Sequence, residues 1–185
     1  MGFSVHGILA GALAGSMVAG AAWADDAARR LESGLAAAPS ATQFLTDRCA
    51  ALKLASPPVI RAMREREERP ATAKVRELLH VAPDAKLGYR RVVLACGIHS
   101  LSEAENWYVP ERLTAGMNRT LETTEIPFGT VVKPLNFHRR ILKAEPLDGA
   151  VTVLRITALL ETGEGVPFSL VVENYSRELV GGSRP

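Results

Sequence analysis

The chain lacks most of the short motifs that mark nucleotide, metal and hydrolase chemistry. Its 185 residues contain no glycine-rich phosphate loop and no Gly-x-Ser-x-Gly elbow, which argues against a P-loop enzyme and an α/β-hydrolase. Two cysteines are present, Cys49 and Cys96, and two cannot build a structural zinc site by themselves. No histidine stands at metal-ligand spacing beside either cysteine. We therefore expect no metal and no other cofactor.

An excess of charge of one sign is also missing. The chain has 22 Lys and Arg against 20 Asp and Glu, a formal net charge of +2. That balance is too small to indicate nucleic acid, and no dense basic stripe is present, so we expect no nucleic-acid partner. The length suits one domain with a single core rather than two. A monomer is the expected oligomeric state.

Charged side chains are absent from the first 24 residues. An apolar run over residues 8–23 ends in Ala22-Trp23-Ala24, directly before Asp25, and small residues at those positions suit signal peptidase. We expect residues 1–24 to be a signal peptide, with cleavage after Ala24, a periplasmic or secreted product and no stable membrane insertion afterwards. An uncleaved anchor and a misassigned start codon, which would make the protein cytoplasmic, remain as alternatives.

The mature part divides into a leader over residues 25–41, a domain over residues 42–180 and a short tail over residues 181–185. The leader can be helical or disordered. Within the domain, helical spacing predicts a helix over residues 42–54. Residues 59–69 are ambiguous, because charge pairing favours a helix and the alternation of Ile60 and Ala62 with charged neighbours favours a strand. We favour the strand.

The second half of the chain is rich in strand patterns. Further predicted elements are a helix over 71–79, strands over 89–96 and 102–109, a helix over 112–123, a strand over 130–142 broken near Pro134, and strands over 151–160 and 166–176. The last two flank Glu161-Thr162-Gly163-Glu164-Gly165, a strong hairpin signal. This order predicts an α+β domain, with a single antiparallel sheet and helices packed on one face.

Strand alternation places several charged residues in the apolar register. Arg139 shares a face with Phe137 and Ile141, because side chains alternate along a strand. By the same argument the inward-facing charged residues include Arg91, Arg155 and Glu173. A charge facing a core is costly unless it is paired or bound to a ligand. The group predicts either a buried ion cluster or a pocket for a small anion, because guanidinium groups match carboxylates. Spacing alone leaves both alternatives open.

One block carries a resemblance to a known family. It reads LGYRRVVLACGIHSLSEAENWYVPERLTAGMNRTLETTEIPFG, from Leu87 to Gly129. The paired arginines on a strand, the Trp-Tyr-Val-Pro end of the next strand, the short helix and the Pro-Phe-Gly turn resemble the central region of chorismate lyase. The resemblance extends over roughly residues 42–179. It implies the fold of that family, with flap-like helices over a buried pocket.

The resemblance also implies roles for individual residues. Arg91 takes the place of an arginine that holds a substrate carboxylate, with Arg90 as the alternative if the register slips by one. Glu173 takes the place of the glutamate on the last strand, and both are expected to be catalytic. The remaining residues expected to contact substrate are Arg139, Phe128, Gly129, Asn106, Cys49 and Arg155. Two of these depart from the family, because Asn106 stands where an arginine is usual and Cys49 where a methionine is usual.

The function implied by the resemblance is the cofactor-free elimination of pyruvate from chorismate, which gives 4-hydroxybenzoate. In that reaction arginines bind the two carboxylates and Glu173 faces the ring hydroxyl, so catalysis rests on orientation and preorganised charge. The alternative is a secreted or periplasmic protein of the same fold that binds a small aromatic or carboxylic acid without converting it, as effector-binding domains do. A domain whose inward arginines merely pair with Glu173 is the third possibility.

Overall fold

The computed structural model describes residues 15–181, and the side chains of residues 26–181. Within that range the helices are α1 (Gly15–Ala37), α2 (Ala41–Ala51), α3 (Ala73–Leu78), α4 (Ala115–Thr123) and α5 (Phe128–Val131). The strands are β1 (Ile60–Glu65), β2 (Gly88–Cys96), β3 (His99–Tyr108), β4 (His138–Pro146), β5 (Thr152–Glu161) and β6 (Pro167–Ser176). Three short 3-10 helices span Pro110–Arg112, Lys133–Leu135 and Arg177–Val180.

The six strands form a single antiparallel sheet in the order β1-β2-β3-β6-β5-β4. Two hairpins supply its centre. The β2–β3 turn places Gly97 at φ +59, and the β5–β6 turn places Gly165 at φ +80. Both are in the left-handed region that glycine reaches without a steric penalty. The predicted fold class, an α+β domain with a single antiparallel sheet, is confirmed.

The ambiguous segment forms the edge strand β1, as favoured from its alternation. Ile60 and Ala62 are buried, while the residues between and after them are exposed. Its ladder with β2 runs from Ile60 opposite Cys96 to Glu65 opposite Arg91. On its outer side the Ala62 N–H donates to the Glu125 carbonyl at 2.7 Å. Ladder bonds and burial together outweigh the few tenths of a kcal/mol that helical charge pairs contribute, about 0.2–0.5 kcal/mol each.

The prediction of a strand from residue 130 was wrong for residues 130–137. This segment contains the second half of α5 and the 3-10 helix Lys133–Leu135, and β4 begins only at His138. Pro134 lies in the first turn of the 3-10 helix, where its missing N–H is not needed. Asn136 then reverses the chain at φ +47, in a conformation that asparagine tolerates. Turn chemistry therefore overrides the apolar pattern there.

The leader is helical and contributes to the core. Ala28, Leu31 and Leu35 on α1 are buried with Leu45 of α2 in the main apolar cluster. Residues 1–14, which contain most of the predicted signal peptide, lie outside the described residues, and residues 15–24 form the first part of α1. None of the helices within residues 15–181 combines the length and apolar character that a membrane span requires.

The sheet has two unequal faces. The face that we call the pocket face carries Val92, Leu94, Ala104 and Val171, and its core cluster also contains residues of α1 and α2. The opposite face is covered in part by α3, whose Val75 packs with Trp107, Leu159 and Leu170. Helices therefore contact both faces, with the larger cluster on the pocket face.

A disulfide joins α2 to the end of β2. Cys49 and Cys96 are bonded, with their Cα atoms 6.3 Å apart, and both are fully buried in the main cluster. The expectation that Cys49 contacts a ligand is therefore corrected, because its sulfur is bonded to Cys96 within the core. The bond closes a sequence separation of 47 residues.

Candidate functional site

A pocket opens between the pocket face of the sheet and the facing ends of α2 and α5. The cavity at its centre has a volume of about 40 Å³, and the space around it opens to solvent. Most of its wall is apolar, and the apolar side chains are Val92, Leu94, Ala104, Phe137, Leu160 and Val171. Its polar side chains are Ser40, Thr42, Asn106, Arg139 and Glu173. The Pro127-Phe128-Gly129 turn closes one side.

The strongest polar feature of the pocket is an ion pair between β4 and β6. Arg139 Nη2 donates to Glu173 Oε2, and the Tyr175 hydroxyl donates to the same oxygen at 2.8 Å. The two charged side chains are only 8% and 6% exposed. Burial and the neighbouring Glu173 raise the pKa of Tyr175 well above its usual value, so its hydroxyl keeps the proton that it donates.

Arg139 keeps donors free although it is paired. Burial alone lowers the pKa of its guanidinium, but the charge of Glu173 and the contact with Tyr175 outweigh that effect and raise it. Arg139 is therefore a permanent cation. Its Nε and Nη1 atoms are buried and find no hydrogen-bond partner among the described residues. Buried donors of this kind are costly unless a ligand or water occupies them.

Asn106 and the Gly129 turn complete the wall. Asn106 is buried on β3, and its side-chain amide donates to Ser169 Oγ at 3.4 Å. A Cβ atom on Gly129 would lie 3.0 Å from Thr42 Oγ1, so the absence of a side chain lets α5 approach the start of α2. Phe128 is buried beside Tyr108, with ring centroids 5.5 Å apart. These three predicted residues therefore lie in the pocket with Arg139 and Glu173.

Arg91 lies on the opposite face, so its predicted place in the pocket is corrected. Its Nε atom is 2.6 Å from Glu65 Oε2, and it also pairs with Glu67, Glu103 and Glu105. The reason is the alternation of β2: Val92 and Leu94 face the pocket, so Arg91 between Arg90 and Val92 points away from it. The side chain is 25% exposed within this cluster of carboxylates.

Arg90 lies on the pocket face, where Arg91 was expected, and neighbours the lining residue Asn106 without itself lining the cavity. It is 2% exposed and directly paired with Asn106 across the β2–β3 ladder. Its Nη2 atom donates to the carbonyls of Thr124 and Ile126 at 3.2 and 3.1 Å, next to the turn that closes the pocket. Its Nε and Nη1 atoms are buried without a partner among the described residues. Burial, and then the nearby charge of Arg64, lower its pKa to about 10.

Arg155 is a second correction. Its Nε atom donates to Asn174 Oδ1 at 2.8 Å in an exposed position on the opposite face. The ladder between β5 and β6 shifts between Thr152 and Leu154, and such a bulge places Val153 out of phase with Arg155. The alternation from which Arg155 was predicted to face inward is interrupted there. The bulge left no signal in the sequence that we could interpret.

Tyr175 and Phe137 are the residues that the sequence analysis did not assign to the site. Phe137 was placed on the face of Arg139, and the same alternation puts Tyr175 on the face of Glu173, two residues before it, but neither was given a contact with ligand. The alternation of side chains along a strand was therefore enough to find the face on which these two residues lie. Within residues 15–181 no group of three or more His, Cys, Asp or Glu side chains is arranged to hold a metal ion.

Solved structures with a similar fold are domains of bacterial regulators. The effector domain of PhnF from Mycobacterium smegmatis aligns at 12% identity and a TM-score of 0.51, covering 65% of this chain and 82% of that one. PhnF itself aligns at 11% identity with the same TM-score of 0.51, over 67% of this chain. This chain spans 61% of its length. The chain therefore has an effector-domain fold, and these domains share the chorismate lyase-like fold that was expected.

A relative of closer sequence defines the family. The uncharacterized protein y4mC of Sinorhizobium fredii (strain NBRC 101917 / NGR234) is 38% identical over 179 residues, covering 84% of this chain and 76% of that protein. The chain belongs to the family of y4mC. No protein-family profile matches it.

The comparisons contradict the expectation that nucleic acid has no part among the partners. The fold neighbours that overturn it are PhnF and its effector domain, each at a TM-score of 0.51. Such regulator domains work with DNA-binding partners. A net charge of +2 was therefore an insufficient ground for the exclusion, because an effector domain need not itself carry the basic surface that meets DNA.

Proposed function

We propose that this protein binds a small organic acid in the pocket beneath α5 and does not convert it. The observation that carries the proposal is the pair of buried, unpartnered donors on Arg139 in a pocket whose walls are otherwise mainly apolar. A ligand carboxylate at these donors would relieve the cost of leaving them unsatisfied. The effector-domain fold supports the proposal, because that fold is used for ligand binding.

The apolar wall supplies the rest of the affinity. Burying a ring or an aliphatic chain against Val92, Phe137 and Leu160 contributes roughly 25 cal/mol per Å² of apolar surface removed from water. A ligand hydroxyl can donate to Glu173, which Arg139 and Tyr175 hold in place as a carboxylate. The pocket thus matches a molecule with one acidic end, an apolar body and a hydroxyl.

Elimination of pyruvate from chorismate is the second candidate. Glu173, Arg139 and the Phe128-Gly129 turn line one pocket, as the resemblance to chorismate lyase implies. Against it, the pocket offers few cations for a substrate with two carboxylates. Arg91 lies on the opposite face, Asn106 is uncharged, and Glu173 already balances the charge of Arg139. Arg90 is then the one buried cation on the pocket face without a carboxylate partner among the described residues. These positions favour binding over turnover.

Titration and turnover measured on the same preparation test the proposal. The purified chain is titrated with 4-hydroxybenzoate by calorimetry, and mixed with chorismate while pyruvate and 4-hydroxybenzoate are followed. We expect saturable binding and no turnover. Catalysed release of pyruvate would contradict binding without conversion and would support the lyase activity instead. Neither binding nor turnover would leave a structural ion cluster as the role of the pocket residues.

Arg139→Met and Arg140→Met form a matched pair for this experiment. The two arginines are neighbours on β4, but Arg140 points away from the pocket and pairs with Glu161. Arg139→Met should abolish the binding of 4-hydroxybenzoate, because it removes the free donors. Arg140→Met should leave the binding unchanged. Equal losses in both variants would show that the effect is structural and would contradict the assignment of Arg139 to the ligand.

We also propose that the protein acts outside the cytoplasm after cleavage behind Ala24. The buried bond between Cys49 and Cys96 supports an oxidising compartment. Cleavage there would leave Asp25 and Asp26 at the start of the remaining part of α1, where negative charge interacts favourably with the helix dipole. Mass spectrometry of the native protein tests this: an N-terminus at Asp25 is expected, and an intact Met1 would contradict it.

A further inference from the structure

We infer that the pocket selects ligands that carry one negative charge, and that Arg90 and Asn106 set this selectivity. The inference rests on the proposed function, because it concerns the same pocket. It adds a rule about which acids bind: monocarboxylates are accepted, and both dicarboxylates and neutral analogues are disfavoured. Three residues support it. Arg90 is a buried cation without a carboxylate partner among the described residues, Arg139 is a cation paired with a carboxylate, and Asn106 is a neutral side chain of the pocket wall.

The uncompensated cation is Arg90. No acidic side chain among the described residues pairs with it, and the groups that act on its charge are Arg64 and Tyr108 rather than a carboxylate. A buried charge without a partner costs several kcal/mol, so an anion that binds near it would stabilise the fold. Its Nη2 atom holds the carbonyls of Thr124 and Ile126, and the chain then turns through Pro127 into the pocket wall.

The compensated cation is Arg139. Its pairing with Glu173 makes the charge of these two groups zero. Arg90, Arg139 and Glu173 therefore sum to a charge of +1, because Arg90 adds a positive charge that no described carboxylate on the pocket face cancels. One ligand carboxylate makes the buried group electrically neutral. A second carboxylate would leave it at −1, in a setting where charges interact strongly because water is largely excluded.

Asn106 is the position where a second anionic group would need help. It lies directly opposite Arg90 in the ladder and lines the pocket, but an amide brings no charge. The free-energy cost of desolvating a second carboxylate beside it would be offset only by weak dipolar contacts. The outer cleft that adjoins the pocket has the same preference for a single charge. Lys133 is its one charged lining residue among those described, and no carboxylate lies beside it there.

Three probes built on one ring separate charge from shape. 4-Hydroxybenzoate carries one negative charge, terephthalate two, and 4-hydroxybenzamide none. Calorimetric titration of the full chain should give affinities for terephthalate and for the benzamide that are at least about tenfold weaker than for 4-hydroxybenzoate, since about 1.4 kcal/mol corresponds to tenfold. Hexanoate and adipate repeat the comparison between one charge and two without a ring.

Substitutions at the two positions test the cause of the selectivity. Arg90→Met should weaken the binding of 4-hydroxybenzoate by about tenfold or more, which is a modest charge effect of about 1.4 kcal/mol. Arg90→Lys should restore most of that loss, because it keeps the charge. Asn106→Arg should narrow the preference over terephthalate, because it adds a cation opposite Arg90. Arg91→Met, next along β2 but on the opposite face, is the matched control and should leave the preference unchanged.

The outcomes distinguish this inference from the proposed function. If 4-hydroxybenzoate and terephthalate bind with similar affinity, or if terephthalate binds more tightly, the charge rule fails and the binding function stands. If the benzamide binds as well as the benzoate, the rule fails in the same way. If none of the five probes binds, the proposed function itself fails. The unaltered protein gives these results even if Asn106→Arg does not fold.

Discussion

Arg90 and Asn106 stand directly opposite each other on β2 and β3, and both side chains are buried on the pocket face. One is a cation without a carboxylate partner among the described residues, and the other is a neutral amide at a position where the resemblance to chorismate lyase implies an arginine. On the proposed binding function, this arrangement accounts for a preference for one carboxylate over two. It also relates stability to ligand binding, because the group that a ligand would neutralise is a cost to the ligand-free fold.

The first prediction concerns that cost. Arg90→Met should stabilise the ligand-free protein by about 1–3 kcal/mol, because burial has lowered the pKa of the arginine and thus disfavours its charged form. The carbonyls of Thr124 and Ile126 lie in a largely exposed segment and can turn to water. Urea unfolding measures the change. Arg91→Met should instead destabilise the protein, since it leaves Glu65 without its cation and Glu67 with Arg69 alone.

A loss of stability in Arg90→Met as large as that in Arg91→Met would contradict the description of Arg90 as uncompensated. It would mean that the bonds from its Nη2 atom to the two carbonyls outweigh the cost of burying the charge.

The second prediction concerns the contact between Gly129 and Thr42. Gly129→Ala should weaken ligand binding several-fold, because its methyl group would lie 3.0 Å from Thr42 Oγ1 and force α5 away from α2. Alanine favours helices over glycine by up to about 1 kcal/mol, so the stability of the protein should not fall in step. Adding Thr42→Ala removes the crowded oxygen and should recover the affinity. Failure of that double variant to recover it would exclude the steric explanation.

The third prediction concerns the Cys49–Cys96 bond. Its reduction should destabilise the protein by about 2–4 kcal/mol, because the bond closes a long loop in the unfolded chain. Unfolding in urea with and without reductant measures the difference, and a Cys49→Ala/Cys96→Ala variant controls for effects of the reductant elsewhere. Since α2 also supplies Ser40 and Thr42 near its start, ligand affinity should fall on reduction as well. An unchanged unfolding curve would contradict a structural role for the bond.

The fourth prediction is a dependence of stability on pH. The hydrogen bond from Arg140, with help from His138, lowers the pKa of Glu161 below its usual value of 4.5. A carboxyl whose folded-state pKa is depressed contributes stability above the unfolded pKa and loses it as the pH falls through the folded pKa. Glu161→Gln should therefore be less stable than the unaltered protein at pH 7. The gap should close below pH 4.5, and a gap that persists at low pH would contradict this cause.

Much of the architecture follows from local patterns in the sequence. The hairpin at residues 161–165 and the helix α4 were predictable, because the local signals agree there. The strand β1 was favoured from its alternation although charge pairing pointed to a helix. Arg139 and Glu173 were also placed on the pocket face, since each shares its alternation with clearly apolar neighbours. The first residue of β4 could not be predicted, because Pro134 and Asn136 impose turns that the apolar pattern does not reveal.

The choice between Arg90 and Arg91 could not be made from the sequence. Both faces of β2 carry apolar residues, because the core covers one face and α3 covers part of the other. A strand that is covered on both sides does not show which of its faces borders a cavity. Arg155 was misplaced for a related reason, since the bulge at Thr152 changes which residues share a face.

The most direct test of the account is a calorimetric titration of the purified protein with 4-hydroxybenzoate, run beside a chorismate turnover assay on the same sample. The account predicts saturable binding at one site per chain, lost in Arg139→Met and kept in Arg140→Met, with no pyruvate released from chorismate. Catalysed release of pyruvate, or binding that survives Arg139→Met unchanged, would contradict it.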